Sequence, residues 1–590
     1  MIIGSVENGR EDGNGVRKTA SSPFRVETPL YLIGWLVAAL IIVIVATIFW
    51  SMFQEGLPST KNLLRFSLEN FKIVFGSPGF GKAALRTFEL GVGMTVVATG
   101  VGLPLTWVIH RTNLWGKQFF STLMFLNILL PGFIKIMGWI LLLGPQIGII
   151  NLAVRAVFPW IESGPFSPYN IGFMIFLEGI GAVPTFFLMI GGAFASIDPS
   201  LEEAAEASGL NRAQIFRKIS LPILMPAILT SIIFIFVMSI SGYETAALLG
   251  APNRLHFLST LMFDALNPEV GIPLYGVAGV YAVIMLVPTM IGLYYYQRMM
   301  RLSHRFATIT GKGYRPKLTD LGKWKVPAMA FVVLYFVINL LLPFLAVVWT
   351  SITPSIQLPS AQAFRSVTLA YYPKAFLTLL SQKAIANTIL LSLTVGIVGT
   401  LLGLIMSWIT TRTKMRGRYV LDTFAMMPHV IPGIAIAFAM AFLGLLLAKV
   451  VPLYQSMAAI IIANLVKTMP FSTRTMNASL MQIHSELEEA VQTSGASKVV
   501  ALRKVIVPLI TPALVYSFIW TLLQTYKEVT IPLFLISPKN MVLSTVIWTQ
   551  WSKSANFSVA SAISIIMIVV MAVVVSILLK ALPGQIRKGF

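Results

Sequence analysis

Ionisable and hydrogen-bonding side chains stand within or beside long apolar runs of the sequence, where a charge is costly and often functional. The candidates for a solute pathway are Glu178, Tyr243, Glu244, Lys467, Lys527 and Glu528. Among them, the carboxylates of Glu178, Glu244 and Glu528 are suited to contact a cationic solute in a cavity. The structural alternative is that each charge pairs with an opposite charge or extends toward the membrane surface. For Lys135, a further charge in an apolar run, this alternative is the simpler one.

Patterns that support covalent or metal chemistry are absent from the sequence. The five histidines show no metal-ligand spacing; they are His110, His256, His304, His429 and His484. The chain has no cysteine, which removes disulfides and thiolate ligands. It also has no G-x-x-x-x-G-K-[ST] pattern for binding ATP. A membrane-embedded enzyme would need clustered nucleophiles or acid-base pairs, and none is visible. We therefore expect no catalytic residue, no metal site and no cofactor.

The composition excludes an ordinary soluble protein. Apolar residues make up 56% of the 590 residues and charged residues only 11%, whereas soluble domains usually have about 25% charged residues. A net charge of +22 would suggest nucleic acid as the partner of a soluble protein. Here the basic residues lie in short loops between apolar runs, so membrane topology explains them. We expect membrane lipid as a partner and no nucleic acid.

Twelve apolar runs are long enough to cross a bilayer, since a helix of about 20 residues spans roughly 30 Å of hydrocarbon. The predicted spans are 29–53, 84–109, 119–143, 171–197, 221–241, 271–296, 326–350, 384–410, 420–448, 453–476, 508–535 and 557–580. The fold class is therefore an all-α integral membrane protein, and an even number of spans puts both termini on one side. Basic residues crowd the connections 297–325 and 412–418, so these loops and both termini are predicted to be cytoplasmic.

Composition also divides the chain into domains. We predict a cytoplasmic tail at 1–28, a first membrane domain at 29–296, a basic linker at 297–325, a second membrane domain at 326–580 and a short cytoplasmic tail at 581–590. The linker is polar and rich in glycine and basic residues, between two apolar blocks. A tether is its simpler interpretation, and a regulatory role is the alternative.

An internal repeat relates the two membrane domains. Trp107, Arg111, Thr112 and Gly116 match Trp408, Arg412, Thr413 and Gly417 at an offset of 301 residues, as do Pro131-Gly132 and Pro432-Gly433. Further along the chain the offset falls to 286, which places about 15 extra residues of the first copy in 144–170. Since both copies begin on the same side, we predict two homologous six-helix halves related by a pseudo-twofold axis along the membrane normal.

Each half also contains one polar segment on the predicted cytoplasmic side, 198–222 in the first half and 485–508 in the second. Asp198 followed by a proline, and Ser485 three residues before Glu488, are typical of helix N-termini. Small and apolar residues then recur at helical spacing on one face. They are Leu201, Ala204, Ala205 and Ser208 in the first segment, and Leu487, Ala490, Val491 and Ser494 in the second.

Glycine and proline set the ends of these two helices. Gly209 and Gly495 stop them, because glycine adopts the left-handed backbone of a helix terminus without steric penalty. Pro222 and Pro508 follow 13 residues later and begin the next spans. Each segment therefore predicts a helix-turn-helix that lies flat on the cytoplasmic face.

The two segments resemble the E-A-A-x-x-x-G-x9-I-x-L-P signature of permease subunits of binding-protein-dependent ABC importers, the type I or MetI-like family. The first segment matches at Glu203, Ala204, Ala205, Gly209, Ile219, Leu221 and Pro222. The second keeps Glu489, Ala490, Gly495 and Pro508 and has valine at 491, 505 and 507, which preserves apolar character. The resemblance covers nearly the whole chain, and the fused two-domain form is similar to permeases for ferric iron and thiamine, with polyamine permeases further off.

The resemblance implies transport without catalysis by this chain. In that family the signature segment is a coupling helix that docks on a cytoplasmic ATPase subunit. Glu203, Ala204, Ala205, Gly209 and Pro222 would couple to one ATPase copy, and Glu489, Ala490, Gly495 and Pro508 to a second. These partner subunits would bind ATP and Mg, and a periplasmic or lipid-anchored binding protein would deliver the solute. The resemblance further implies a bacterial inner membrane, alternating access, and a solute such as ferric iron, thiamine or a polyamine.

Two other interpretations apply to the same patterns. The polar segments could be amphipathic helices at the lipid interface, but such helices need bulky apolar residues where these have alanine and serine. A secondary transporter with two six-helix halves shares the number of spans and the parallel repeat. It does not explain two glycine-hinged polar segments with matched spacing.

Overall fold

The computed structural model describes residues 24–59, 61, 65–268, 270–303, 318–413, 415–484, 486–487, 493 and 502–581. Most of both predicted tails and the centre of the predicted linker lie outside the described residues. The first half consists of α1 (Phe24–Ser51), α2 (Glu69–Gly76), α3 (Phe80–Arg111), α4 (Lys117–Leu129), α5 (Gly132–Leu143), α6 (Ile149–Val157), α7 (Ile171–Ser196), α8 (Pro199–Ala207), α9 (Arg212–Ile215), α10 (Leu221–Ile240), α11 (Leu258–Leu266) and α12 (Tyr275–Ser303). Helix α12 therefore extends beyond the predicted start of the linker at 297.

The long helices of the second half follow the same order as those of the first. It consists of α13 (Lys325–Phe336), α14 (Leu342–Ser351), α15 (Ala361–Arg365), α16 (Tyr371–Ser381), α17 (Ala384–Arg412), α18 (Arg418–Met426), α19 (Gly433–Leu446), α20 (Met457–Met481), α21 (Val507–Tyr526), α22 (Thr530–Phe534), α23 (Leu543–Ser552) and α24 (Phe557–Ala581). Helices α13 and α14 form one continuous span, because the residues between them, Val337–Leu341, are a π-helical turn.

The described residues confirm the all-α fold class. Nine of their helices are long and apolar enough to cross a membrane, or up to eleven spans if each of two bent helix pairs is counted as one. The predicted span at 453–476 corresponds to α20, a helix of 25 residues. It is long enough to cross, but it is not among the nine helices or the two bent pairs, since residues such as Asn464, Lys467 and Asn477 make it polar. The predicted span at 508–535 is shorter in the structure, since α21 ends at Tyr526.

Two predicted spans, 119–143 and 420–448, are bent rather than straight. The chain turns by 96° between α4 and α5 and by 104° between α18 and α19. Pro131 and Pro432 stand at these bends with extended backbone, at ψ of 126° and 135°. Proline has no N–H to continue the helical hydrogen bonds and disfavours helical backbone in the residue before it. Each of these two predicted spans therefore consists of two helices joined at a sharp bend.

The first span of each half packs against the other half. Helix α1 contacts α17, α18 and α19 as well as α12 of its own half, and α14 contacts α5 as well as α24 of its own half. The approach of α1 is close, since a methyl group on Gly34 would lie 2.9 Å from the side chain of Ile409. The two halves are therefore interlocked.

Gly138 lies where α5 and α14 approach each other closely. A methyl group there would lie 2.3 Å from the carbonyl oxygen of Pro343. Because the obstacle is backbone, we expect Gly138→Val to push the halves apart and to destabilise the protein by about 1–3 kcal/mol. The midpoint of thermal unfolding in nanodiscs should fall accordingly. Gly100→Val is the control, since a methyl group there meets no atom within 4 Å; equal midpoints for the two variants would contradict the interlocked packing.

Matching hydrogen bonds in the two halves follow the internal repeat. The backbone N–H of Leu258 donates to Thr87 Oγ1 at 3.1 Å, and that of Leu543 donates to Thr388 Oγ1 at 2.9 Å. Residues that precede matching helices correspond as well, namely Gly116 and Gly417 with left-handed backbone, and Asn170 and Ser456 with side-chain caps. The repeat seen in the sequence is thus a repeat of local structure.

Candidate functional site

The first predicted coupling segment, residues 198–222, contains two helices joined at a glycine. Asp198 Oδ1 accepts a hydrogen bond from the N–H of Ser200 at 2.9 Å and so caps α8, as the sequence predicts. Gly209 follows the other end of α8 with a φ of +82°, the left-handed backbone expected of it. Helix α9 then begins behind Asn211, whose Oδ1 accepts from the N–H of Gln214 at 3.0 Å.

Helix α8 has an open side, which carries small residues, and a buried side. Glu203, Ala204 and Gly209 are exposed, and Leu201 is 41% exposed. Ala205 is only 8% exposed, so the stripe predicted from helical spacing does not lie wholly on one side. The open side presents short side chains, which permit close approach by another protein.

Glu202 lies on the buried side of α8 and anchors it. Its carboxylate forms an ion pair with Arg111 at the end of α3, and its Oε1 accepts a hydrogen bond from Ser220 Oγ at 2.7 Å. Arg111 and Ser220 are each 4% exposed. A groove of about 110 Å³ adjoins this cluster and is also lined by Phe216 and Thr319.

The second predicted coupling segment, residues 485–508, lies largely outside the described residues. The predicted contact residues outside them are Glu489, Ala490 and Gly495. Its last part is described and matches the first segment: Pro508 stands in the first turn of α21 as Pro222 does in that of α10. A π-helical turn precedes each of these helices, at Phe216–Ser220 and Leu502–Ile506.

Lys467 of α20 and Glu528, just beyond α21, form an ion pair. The Oε1 atom of Glu528 also accepts a hydrogen bond from the N–H of Ile531 at 3.2 Å. Lys467 lies beside the bend of the second half, since a methyl group on Gly433 would be 3.3 Å from its Nζ. The side chain of Lys467 is 38% exposed and that of Glu528 is 10% exposed. The pair therefore faces open space on its lysine side.

Two further lysines lie at the bend of the first half. Lys135 Nζ donates to Asn127 Oδ1 at 2.7 Å, and Lys527 Nζ donates to the carbonyl oxygen of Ile128. Both acceptors belong to the last turn of α4, where carbonyl groups have no partner within the helix. Both ammonium groups thus have hydrogen-bond partners.

The carboxylates of Glu178 and Glu244 differ in their surroundings. Glu178 of α7 accepts a hydrogen bond from the hydroxyl group of Thr245. Glu244 follows the end of α10, and its Oε2 lies 3.6 Å from where a methyl group on Gly132 would be. Within the part of the chain that the structure describes, the carboxylate of Glu244 has no hydrogen bond and no ion pair, although Lys467 and Lys527 are near enough to attract its charge. It is half-buried beside the bend between α4 and α5.

Tyr243 lies in an aromatic cluster rather than beside the charges. Its side chain is 4% exposed, and its ring centroid is 5.1 Å from that of Phe263, 5.7 Å from that of Phe534 and 5.9 Å from that of Trp548. Phe534 and Trp548 belong to the second half. The structure thus gives Tyr243 a packing position between the halves, next to Glu244.

Residues 98–303 and 399–588 both match the family described as binding-protein-dependent transport system inner membrane component. The chain belongs to this family. Because the two matches fall in different halves, they confirm the internal repeat and the fused two-domain form. A binding-protein-dependent inner membrane component is the permease of an ABC importer, a multi-pass protein that has no ATPase site of its own. The family therefore argues against the alternative of a secondary transporter.

Curated proteins similar to this inner membrane component are permeases for ferric iron and sulfate. The chain is 24% identical over 494 residues to a ferric transport system permease protein of Actinobacillus pleuropneumoniae, covering 82% of this chain and 68% of that protein. It is 23% identical over 505 residues to an Fe(3+)-transport system permease protein of Haemophilus influenzae, covering 85% and 90%. A sulfate transport system permease protein of Salmonella typhimurium is 29% identical over 188 residues, covering 30% and 68%. The similarity to the ferric permeases thus extends over both halves.

The sequence did not reveal the groups that hold the charges of this permease. Asn127 and Thr245 are short polar residues without a recognisable motif, and their roles depend on tertiary contacts. The one available signal was the pair of Pro-Gly bends, beside which the charged side chains gather. Among the described residues, no three His, Cys, Asp or Glu side chains are grouped as metal ligands would be.

Proposed function

We propose that this permease imports a cationic solute, with ferric iron as the first candidate, and that ATP hydrolysis by two partner subunits drives the import. The observation that carries the proposal is the form of the first coupling segment. Its open side, with Glu203, Ala204 and Gly209, suits close contact with a protein, and its buried side is tied to α3 and α10. When an ATPase subunit that contacts the open side of α8 moves, α8 moves with it and displaces the spanning helices α3 and α10.

The coupling segments define the proposed partners. One ATPase copy contacts the first segment and a second copy contacts the second segment, through Glu489, Ala490 and Gly495. ATP and Mg are bound by these subunits, and this chain holds no cofactor. A solute-binding protein docks on the opposite, external face. Both termini lie with the ATPases on the cytoplasmic side, as the basic loops predict.

The proposed mechanism is alternating access about the pseudo-twofold axis. When ATP draws the two ATPases together, the coupling helices move with them. Because the first spans are exchanged between halves, the halves rock as two interlocked bodies and open a central cavity toward the binding protein. The solute enters beside the two Pro-Gly bends, and hydrolysis returns the cavity to the cytoplasmic side.

The charges beside the bends favour a cation. Lys135, Lys467 and Lys527 each have an acceptor, and Glu528 is paired with Lys467. Glu244 has no hydrogen bond and no ion pair among the described residues; the charges of Lys467 and Lys527 attract it, and those of Glu178 and Glu528 repel it. A carboxylate shielded from water is costly unless a cation or a proton accompanies it. Ferric iron fits this requirement and is named for two relatives that match both halves; thiamine and polyamines are the organic cations that remain as alternatives.

Reconstitution with the partner ATPase and the solute-binding protein of the same importer tests the proposal. We expect two ATPase subunits for each copy of this chain, and ATP-dependent accumulation of radioactive ferric iron in proteoliposomes. Thiamine, spermidine and sulfate are compared as probes under the same conditions. Uptake of sulfate alone would contradict the cation assignment. Recovery of two copies of this chain around the ATPases would contradict the assignment of both coupling segments to one chain.

A further inference from the structure

A single carboxylate connects three elements around the first coupling segment. Glu202 belongs to α8, Arg111 ends α3, and Ser220 ends the π-helical turn that leads into α10. Arg111 and Ser220 are almost fully buried. Since hydrogen bonds to ionised groups are stronger than neutral ones, and a buried guanidinium needs its partner, this arrangement holds α8 firmly against both helices.

Glu202 and Glu203 are neighbours in sequence but face different surroundings. Successive residues of an α-helix project about 100° apart. Glu203 is exposed, whereas the side chain of Glu202 is 24% exposed and bonded to Arg111 and Ser220. The signature includes Glu203 and not Glu202. Glu203 therefore faces outward from α8, whereas Glu202 attaches α8 to α3 and to the start of α10.

Arg111 is fixed through its backbone as well. The N–H of Thr319 donates to the Arg111 carbonyl oxygen at 2.8 Å, and the N–H of Asn113 donates to the Thr319 carbonyl oxygen at 3.1 Å. The end of the linker thus lies along the end of α3. The backbone of Arg111 is therefore held in place. This suits a residue whose side chain passes a movement of α8 on to α3.

The π-helical turn at Phe216–Ser220 lies at the other end of the connection. Such turns are rare, occur mostly as single turns, and are frequent at functional sites. The second half has one at the matching place, Leu502–Ile506. Ser220 therefore bonds to Glu202 at the junction where a change of helical form would move α10 relative to α8.

We infer that Arg111, Glu202 and Ser220 form a positioning linkage that makes α3 and α10 follow the movement of the first coupling helix. The inference rests on the proposed contact between α8 and an ATPase. Arg111 and Glu202 are positioning residues here, because neither needs to touch ATP or solute.

The linkage is tested in the complete complex with its ATPases and binding protein, in proteoliposomes. The measured quantity is ferric iron taken up per ATP hydrolysed. We expect Arg111→Gln and Glu202→Gln each to lower this ratio by roughly tenfold, within the usual range of coupling between distant sites. The ATPase subunits should still be recovered at two per chain. The double variant should be no worse than either single variant, because removing both charges leaves no buried charge without its partner.

Controls separate this linkage from the proposed function and from folding. Glu203→Gln and Gly209→Val change the proposed ATPase contact; if they lower uptake while Arg111→Gln and Glu202→Gln keep the normal ratio, the linkage is refuted and the proposed function stands. Reduced protein in the membrane with an unchanged ratio would show a structural role only and also refute it. Ser220→Ala keeps all charges and should lower the ratio of iron uptake to ATP hydrolysis less than the charge variants do. If the charge variants do not insert in the membrane, Ser220→Ala is the variant that tests the linkage.

Discussion

Gly209→Val is expected to lower ATP-dependent solute uptake roughly tenfold or more while the permease stays inserted in the membrane. Gly209 has a φ of +82°, and a methyl group there would meet no atom within 4 Å. The penalty is therefore one of backbone conformation alone. Left-handed backbone costs an L-residue about 1–2 kcal/mol, and more for a β-branched one, while each ~1.4 kcal/mol is a tenfold change in population. Uptake of ferric iron and ATP hydrolysis stimulated by the loaded binding protein measure the effect.

Two controls isolate the turn at Gly209. Gly209→Asn should retain much of the uptake, because asparagine tolerates left-handed backbone better than other residues. Gly192→Val introduces the same side chain on α7, where there is also no atom within 4 Å and the backbone is helical. If Gly209→Val transports as well as Gly192→Val, the turn has no part in coupling.

Local signals in the sequence were sufficient to predict the local structure of the first predicted coupling segment. Asp198 before a proline, and a glycine ten residues further on, determine where α8 begins and where the chain turns, because capping and left-handed backbone depend on neighbouring residues only. The same reasoning located most spans from their apolar length. The bends at Pro131 and Pro432 were visible as residues, but their angle depends on how α5 and α19 pack.

Contacts between distant residues were beyond such signals. The Lys467–Glu528 pair joins residues 61 positions apart, and Glu202 reaches Arg111 over 91 positions. The residues beside them in the sequence do not indicate which distant residue each of them contacts. Tyr243 was grouped with the pathway because it precedes Glu244, yet its ring packs with aromatic residues of the other half. Adjacent residues at the end of a helix can face opposite surroundings.

The two halves share features of their backbone, but their charged residues differ at matching positions. At the offset of 286 residues, Glu178 corresponds to Asn464, and Lys467 corresponds to Gly181. Caps, left-handed glycines and π-helical turns recur in both halves. Under the proposed mechanism the solute contacts both halves at once, so its contacts need no symmetry. Within this unequal set of charges, Glu244 has no hydrogen bond and no ion pair among the described residues.

Glu244→Gln is accordingly expected to lower the maximal rate of ferric iron uptake roughly tenfold or more, since losing one charge-assisted contact of about 1.5–3 kcal/mol has an effect of this size. The substitution keeps the volume of the side chain and removes its charge. Glu178→Gln should have a smaller effect, because its amide oxygen still accepts the hydrogen bond from Thr245. Glu89→Gln, at an exposed position of α3, is the matched control.

The measurement is the initial rate of uptake against the concentration of iron-loaded binding protein, with ATP hydrolysis recorded in parallel. A contact in the cavity affects the maximal rate and leaves the half-saturating concentration of the binding protein near its normal value, because docking occurs on the external face. Uptake by Glu244→Gln within about twofold of that by Glu89→Gln would remove Glu244 from the pathway, since an effect so small corresponds to less than ~0.5 kcal/mol. The cation would then have to be recognised elsewhere, since Glu528 is already paired with Lys467 and the open side of that pair is the lysine.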